Sequence, residues 1–246
     1  MSRFYASPDS VSEGKIILRG REAHHARDVM RLRAGDEITV FDGTGKEYSG
    51  IIDKILKEQI IIKINKTFEK KADDRRLALV QAIPKLNKMD VIVEKATELG
   101  VERIIPVITA RTIVQTDKSR AGLRAERWMK IAVMASKQCG RVTVPEINEI
   151  IRFEDSLSFV KGYELAVIPC LCEGTESIRT VLKESRARSA IAFIGPEGDF
   201  TEDEVKAARS KGVIPVSLGR EVLRSDTAAI SVLSVINYEL RWGNGD

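Results

Sequence analysis

The residues with the most chemistry to offer stand in two short stretches late in the chain. The first is Gly195-Pro196-Glu197-Gly198-Asp199, where two carboxylates sit among two glycines and a proline. Glycines let backbone N–H and C=O groups come close to a ligand, and carboxylates can hold charge or accept a proton. The second runs from Ser217-Leu218-Gly219-Arg220 through Glu221-Val222-Leu223-Arg224 to Ser225-Asp226-Thr227-Ala228, with two arginines, two acids and three hydroxyls. Arg220 and Arg224 are open to two readings: surface pairing with Glu221 and Asp226, or a part in a site. Other chemistries are poorly supplied. No Gly-Lys-Ser/Thr follows Gly195, and Gly195-x-x-Gly198 lacks the glycine spacing of a dinucleotide fingerprint. Cys139, Cys170 and Cys172 are odd in number and lack a C-x-x-C spacing, which argues against a disulfide framework and a zinc site. His24 and His25 are the only histidines, too few for a His-based metal centre.

The first stretch is positioned by what flanks it. Ile191-Ala192-Phe193-Ile194 has no solvated face and reads as a short buried strand. Thr201 and Glu204 form a capping box, and Val205, Ala207 and Ala208 carry a helix onward. Strand, glycine loop and helix start together leave backbone N–H groups at the carboxyl end of a strand, where open α/β sheets bind ligands. The same arrangement also serves as an ordinary α/β corner.

The remaining chain changes period once. Lys15–Leu18, Glu37–Phe41, Glu47–Ile55 and Gln59–Lys66 read as strands, with Asp42-Gly43 as a hairpin turn. Arg21–Leu32 reads as a helix with Ala23, Ala26, Val29, Met30 and Leu32 on one face. Adjacent residues of a helix point apart, so one of His24 and His25 is expected outside and the other against the strands. The polar run Lys66–Arg76 is the expected linker. Beyond it strands and helices alternate: strands at Leu77–Ala82, Arg103–Ile108, Leu165–Pro169, Ile191–Ile194 and Val213–Val216, and helices at Asn87–Leu99, Leu123–Lys137, Thr175–Ser185 (capped by Thr175) and Thr201–Lys211. A long apolar helix ends near Trp242. Such alternation predicts parallel strands with helices on the sheet faces. The expected division is a β-barrel over residues 1–70 and an α/β domain over 76–246.

At 246 residues, 43% hydrophobic and 31% charged, the chain is composed like a soluble globular protein able to bury a sizeable core. The net charge of +4 permits a nucleic-acid partner without indicating one. No apolar run approaches the roughly 18–20 residues of a membrane span, and Met1–Tyr5 has no apolar leader core. A reduced, cytoplasmic, metal-free protein is expected.

A family pattern joins the two chemical stretches. Ile194-Gly195-Pro196-Glu197-Gly198, followed by Leu218-Gly219-x-x-x-Leu223-Arg224-x-x-Thr227-Ala228, resembles the SPOUT class of methyltransferases, and more closely the RsmE family, which methylates N3 of uridine in 16S ribosomal RNA. The likeness covers nearly the whole chain. It includes Arg3-Phe4, His25-x-x-x-Val29-Met30-Arg31, Gly35-Asp36, Lys85, Lys95–Val101, Pro106, Arg111, Gln138–Arg141 and Pro145. Three positions depart from the pattern. Asp199 stands where the family usually has a second glycine, Lys137 where it has Glu, and Ser225-Asp226-Thr227 where it has Thr-Glu-Thr.

The resemblance implies an α/β fold in which a PUA-like β-barrel precedes a SPOUT domain with a trefoil knot. It also implies bound S-adenosyl-L-methionine and a homodimer acting on 16S rRNA within the 30S subunit. The cofactor would face three loops: Ile168 and Pro169; Ile194, Gly195, Pro196, Glu197 and Gly198; and Leu218, Gly219 and Leu223, with Thr227 and Ala228. Uracil N3 must lose a proton during methylation, and Arg224 is the candidate to stabilise the charge left behind. Glu197 and Asp199 are the loop carboxylates, with water as the other proton acceptor, so the base stays open. Arg3, His25, Arg31, Lys85, Arg111 and Arg141 are the expected RNA contacts, since Arg and Lys position phosphates. Two other readings stand beside the enzyme: a non-catalytic RNA-binding or ribosome-assembly protein with the same fold, and a Rossmann-like oxidoreductase, which the glycine spacing counts against.

Overall fold

The structure is a computed structural model that describes residues 2–69, 75–113 and 118–242. The chain forms two compact units, Met1–Ala72 with Val133–Val144, and Asp73–Ala132 with Pro145–Asp246. In the first unit six strands share one sheet: β1 (Ser2–Tyr5), β2 (Val11–Ser12), β3 (Lys15–Arg19), β4 (Glu37–Phe41), β5 (Lys46–Ile55) and β6 (Gln59–Glu69). Their order is β1-β4-β5-β6-β3-β2; the β1–β4 pair is parallel and the other pairs are antiparallel. The ladder is open between β1 and β2. Alternate residues of β5 (Tyr48, Gly50, Ile52) are buried, and Tyr48 and Ile52 build one core with Phe4, Ile16, Leu18, Ile38, Ile60 and Ile62. The β4–β5 turn is organised by buried Asp42, which accepts from the Thr44 amide (2.8 Å) and hydroxyl (2.8 Å), the Lys46 amide (3.3 Å) and the Tyr48 phenol (3.0 Å).

Two local expectations in this unit are corrected. The expected linker starts as strand: β6 runs on to Glu69, with Thr67, Phe68 and Glu69 paired to Tyr48, Glu47 and Lys46 of β5, so ladder hydrogen bonds override polar composition. Residues 70–74 of that run lie outside the described residues. The first helix, α1 (Gly20–His24), continues as a wider turn over His25–Val29 and stops short of Leu32. The wider turn shifts the helical face, so Ala23 and Ala26 are buried while Val29 and Met30 are 61% and 44% exposed. His24 is exposed and His25 half-buried against the Phe4 ring at 5.8 Å, as adjacency on a helix requires.

The second unit is an all-parallel sheet. Its strands are β7 (Arg76–Ala82), β8 (Arg103–Ile108), β9 (Glu146–Ile147), β10 (Ile151–Arg152), β11 (Leu165–Pro169), β12 (Glu176–Ser177), β13 (Ser189–Ile194) and β14 (Ile214–Ser217). The order is β10-β8-β7-β13-β11-β14-β12, with β9 also paired to β8. The central strands β7 and β13 are apolar almost end to end and, apart from exposed Arg76, fully covered, as sheets with helices on both faces demand. The helices are α2 (Lys88–Glu98), α3 (Lys118–Cys139), α4 (Phe153–Ser156), α5 (Ile178–Glu184), α6 (Glu202–Ser210) and α7 (Ser225–Trp242). Gly100, at φ +88°, stops α2 as expected, and the Thr201–Glu204 capping box opens α6. The helix expected from Thr175 begins instead at Ile178. Ser177 caps it, and Glu176–Ser177 pairs with β14.

The end of α3 belongs to the first unit, which a boundary between residues 70 and 76 does not foresee. The reason is Arg3. Its guanidinium donates to the carbonyls of Ser136 (2.9 Å), Lys137 (3.2 Å) and Arg141 (2.6 Å), and to Glu47 at 3.0 Å. Helix ends leave such carbonyls without intrahelical partners.

Candidate active site

Strands β13, β11 and β14 are parallel neighbours, so the loops that follow them emerge side by side. Together they line a cavity of about 260 Å³. Pro169, Cys170 and Leu171 come from the first loop in chain order, Ile194–Glu197 and Asp199 from the second, and Val216–Gly219 with Glu221–Ser225 and Ala228 from the third. Thus Pro169, Ile194, Gly195, Pro196, Glu197, Leu218, Gly219, Leu223, Arg224 and Ala228 meet in one place. Ile168 lies fully buried within β11, beneath the cavity, and is not part of its lining. Gly198 faces away, its missing side chain pointing at Arg111, and exposed Thr227 also lies outside the lining.

The loop after β13 is held from several sides. The Gly195 carbonyl accepts from the Ser225 hydroxyl at 2.6 Å, and Arg111 donates to the carbonyls of Gly198 (2.6 Å) and Phe200 (3.3 Å). A Cβ on Gly195 would stand 3.2–3.3 Å from atoms of Asp199 and Phe200, so a side chain there would require these neighbours to shift by a few tenths of an ångström. Glu197 accepts from the Lys85 amide (3.1 Å) and lies 3.7 Å from the Lys88 ammonium. Its carboxylate is therefore engaged with the protein.

The third loop carries the cation. Arg224 is exposed at the cavity and makes no hydrogen bond or ion pair through its guanidinium among the described residues. Asp226 pairs with Lys88 at 3.2 Å, not with Arg224. Burial disfavours the charged carboxyl, but the Lys88 ammonium and a backbone N–H outweigh it and hold Asp226 below the usual carboxylate range. Behind Ser225 sits Gln81, fully buried at the end of β7, whose amide donates to Ser225 Oγ (3.0 Å) and the Ala82 carbonyl (2.8 Å). Sequence reasoning missed Gln81 and Lys88. The available signal was a polar residue closing the apolar run Leu77–Ala82, and a lysine in the first turn of the helix after it.

The chain matches the RNA methyltransferase domain family over residues 71–237 and the RNA methyltransferase PUA domain family over residues 18–65. Ribosomal RNA small subunit methyltransferase E of Bacillus subtilis (strain 168) is 30% identical over 235 residues, covering 93% of this chain and 92% of the relative. This chain belongs to that methyltransferase family. Two solved structures agree. A methyltransferase from Legionella pneumophila in complex with bound SAM superposes with a TM-score of 0.84 at 30% identity, covering 95% of this chain and 96% of the other. The ribosomal RNA small subunit methyltransferase E from Neisseria gonorrhoeae bound to S-adenosyl methionine gives 0.81 at 30%, covering 96% of each chain.

Within a methyltransferase of this family the departures noted in sequence are accommodated. Asp199 adopts φ +59°, a region glycine prefers and Asp tolerates. Its carboxylate accepts from the Phe200 and Leu171 amides, each at 2.8 Å. Lys137 pairs with Glu22 at 2.9 Å and lies over the Phe4 ring. Ser225 keeps the hydroxyl that reaches Gly195. The six basic residues expected to contact RNA are divided. Arg3 is committed to α3 carbonyls, Arg111 to the Gly198 loop, and Arg141 is half-buried with a bond to Thr143 at 3.2 Å. His25 is half-buried, its Nδ1 3.5 Å from the Lys137 ammonium. Arg31 and Lys85 are exposed. One cysteine reading is corrected: Cys170 and Cys172 form a disulfide across Leu171, a local link that spacing arguments for long-range frameworks do not address. Among the described residues no group of three His, Cys, Asp or Glu is placed to hold a metal ion, and no helix is long and apolar enough to cross a membrane.

Proposed function

We propose that this chain uses S-adenosyl-L-methionine to methylate N3 of a uridine in 16S ribosomal RNA, as a cytoplasmic homodimer acting on the 30S subunit. The observation that carries the reading is the convergence of three strand-end loops on one cavity with unpaired Arg224 at it. The lining fits the cofactor in kind. At about 260 Å³ the cavity is slightly smaller than the roughly 300–1,000 Å³ of small-molecule sites. Pro169, Ile194, Leu218, Leu223 and Ala228 offer apolar surface to an adenine, while Glu197, Asp199 and Glu221 against the single Arg224 suit a cationic sulfonium.

When bound, S-adenosylmethionine supplies an electrophilic methyl carbon. The chain's contribution is orientation, worth several orders of magnitude when reacting atoms are held in line. Ser225, anchored by Gln81, fixes the Gly195 carbonyl, and Glu197 is fixed between Lys85 and Lys88. Arg224 places a guanidinium where uracil charge develops as N3 gives up its proton. With Glu197 already engaged, water is the preferred proton acceptor. A trefoil knot is part of the proposal, supported by the late strand β13 lying between the earlier β7 and β11. Exposed Val235 and Tyr238 on α7 support the homodimer, and Arg31 and Lys85 are the basic side chains best placed to meet RNA.

Radiolabelled methyl transfer to 30S particles from a strain lacking this activity tests the reading. Incorporation at a uridine N3, lost in Arg224→Ala, is expected. Cofactor and RNA binding without any transfer would favour the non-catalytic alternative.

A further inference from the structure

Asp199 does more than tolerate its turn. The segment after β11 leaves the sheet at Pro169; besides the local Cys170–Cys172 disulfide, two described hydrogen bonds tie it to neighbouring elements before Cys172. The Cys170 amide donates to the Val216 carbonyl of β14 at 3.3 Å, and the Leu171 amide donates to Asp199 Oδ2 at 2.8 Å. The second carboxylate oxygen of Asp199 accepts from the Phe200 amide at 2.8 Å, beside the start of α6. One side chain thus joins two of the three loops that line the cavity. Leu171 lines that cavity while remaining 70% exposed, so its apolar side chain is available to a ligand. Both bonds are charge-assisted, the stronger class of hydrogen bond.

We propose that Asp199 is a positioning residue for the cofactor: its carboxylate fixes the spacing between the Leu171 segment and the Gly195–Phe200 loop. The proposal rests on the reading of the cavity as the S-adenosylmethionine site. Its physical content is pre-organisation, since a segment already held in place loses less freedom when the ligand arrives. The backbone geometry makes the role separable from folding. At φ +59° a glycine fits without strain, so Asp199→Gly removes the bridge and leaves the turn intact. Asp199→Asn keeps size and turn preference but replaces one acceptor oxygen with a donor, so one of the two bonds must go.

The test uses the full-length protein with two readouts: calorimetric titration with S-adenosylmethionine, and amide hydrogen exchange without ligand. For Asp199→Gly, affinity is expected to fall by about 10-fold and for Asp199→Asn by about 3-fold, in line with the loss of two and one such bonds. Exchange should quicken at Leu171 in Asp199→Gly, and at either Leu171 or Phe200 in Asp199→Asn, while the β13 amides keep their protection and the melting temperature stays close to wild type. Unchanged exchange at Leu171 in Asp199→Gly would overturn the proposal, as would an affinity loss matched by general loss of protection in β13. If the wild type binds no S-adenosylmethionine, the reading of the cavity fails, whereas the exchange data still decide whether the bridge holds the segment.

Discussion

Two walls of the cavity are built on opposite plans. The loop from Gly195 to Phe200 is fastened by Ser225, Arg111, the Lys85 amide and the Asp199 bridge. Among the described residues, few hydrogen bonds hold the loop from Leu218 to Arg224. The Ser217 hydroxyl donates to the Gly219 carbonyl at 3.0 Å and accepts from the Gly219 amide at 3.3 Å, and Arg220, Glu221, Val222 and Arg224 are exposed. Few tertiary bonds and high exposure mark a segment that opens at low cost in free energy. The contrast assigns the two loops different work. Under the proposed function, the fastened wall would set where the cofactor sits, and the loose wall would bring Arg224 to a large RNA and then release it.

That comparison can be broken by substitution. The largest effect is expected on the loose wall but in chemistry alone. Arg224→Ala should lower the single-turnover methylation rate by about 100- to 1,000-fold, the usual cost of losing one charge-stabilising donor. Calorimetric affinity for S-adenosylmethionine should change little; a loss of binding as large as the loss of rate would move Arg224 into cofactor recognition. Next comes the fastened wall. Ser225→Ala takes one of two acceptors from the buried Gln81 amide and frees the Gly195 carbonyl, so urea unfolding should show a destabilisation of about 1–3 kcal/mol. A change below 0.5 kcal/mol would mean that water replaces the hydroxyl at no cost.

A smaller effect, with a pH signature, is expected at Lys88. Asp226 is held below its ordinary range, so its folded carboxyl is more acidic than in the unfolded chain. Its contribution is therefore present above the unfolded value of about 3.9 and is lost as pH falls through the folded one. Lys88→Met removes the ammonium that outweighs burial. It should cost up to about 1 kcal/mol near neutrality and narrow the stability gap to wild type as pH drops below 4. A gap that does not change with pH would show that Lys88 acts by packing. The smallest effect belongs to the loose wall's own apolar tip. Val222→Ala, at a side chain 72% exposed, should shift the unfolding free energy by less than about 0.5 kcal/mol. A larger loss would mean that the loop is fastened after all.

Much of this architecture is legible in the chain. The apolar runs Leu77–Ala82 and Ile191–Ile194, the Thr201–Glu204 box and the Gly100 stop are signals within a few residues of one another, and each element forms where they place it. In several places where reading failed, a distant partner was responsible. Lys66–Glu69 look like linker yet extend β6, because Lys46–Ser49 of β5 offer ladder positions opposite them. Residues 133–144 read as part of the α/β domain, yet Arg3 reaches over 130 positions along the chain to the carbonyls of Ser136 and Lys137. Glu197 reads as a free loop carboxylate until Lys85 and Lys88 are seen beside it.

The sequence by itself determined which segments are strands and helices, which turns need glycine, and which residue types were available for chemistry. Those properties depend on backbone sterics, periodic apolar spacing and nearby capping groups, all local in the chain. The tertiary structure decided which of these residues work together. Only the order β7-β13-β11-β14 brings the loops near residues 169, 195 and 218 to one edge, and only that edge sets Gln81 behind Ser225 and Lys88 between Glu197 and Asp226. Hydrogen bonds and ion pairs act over about 3–4 Å in space regardless of separation along the chain, so partnerships such as Asp199 with Leu171 are written in the fold.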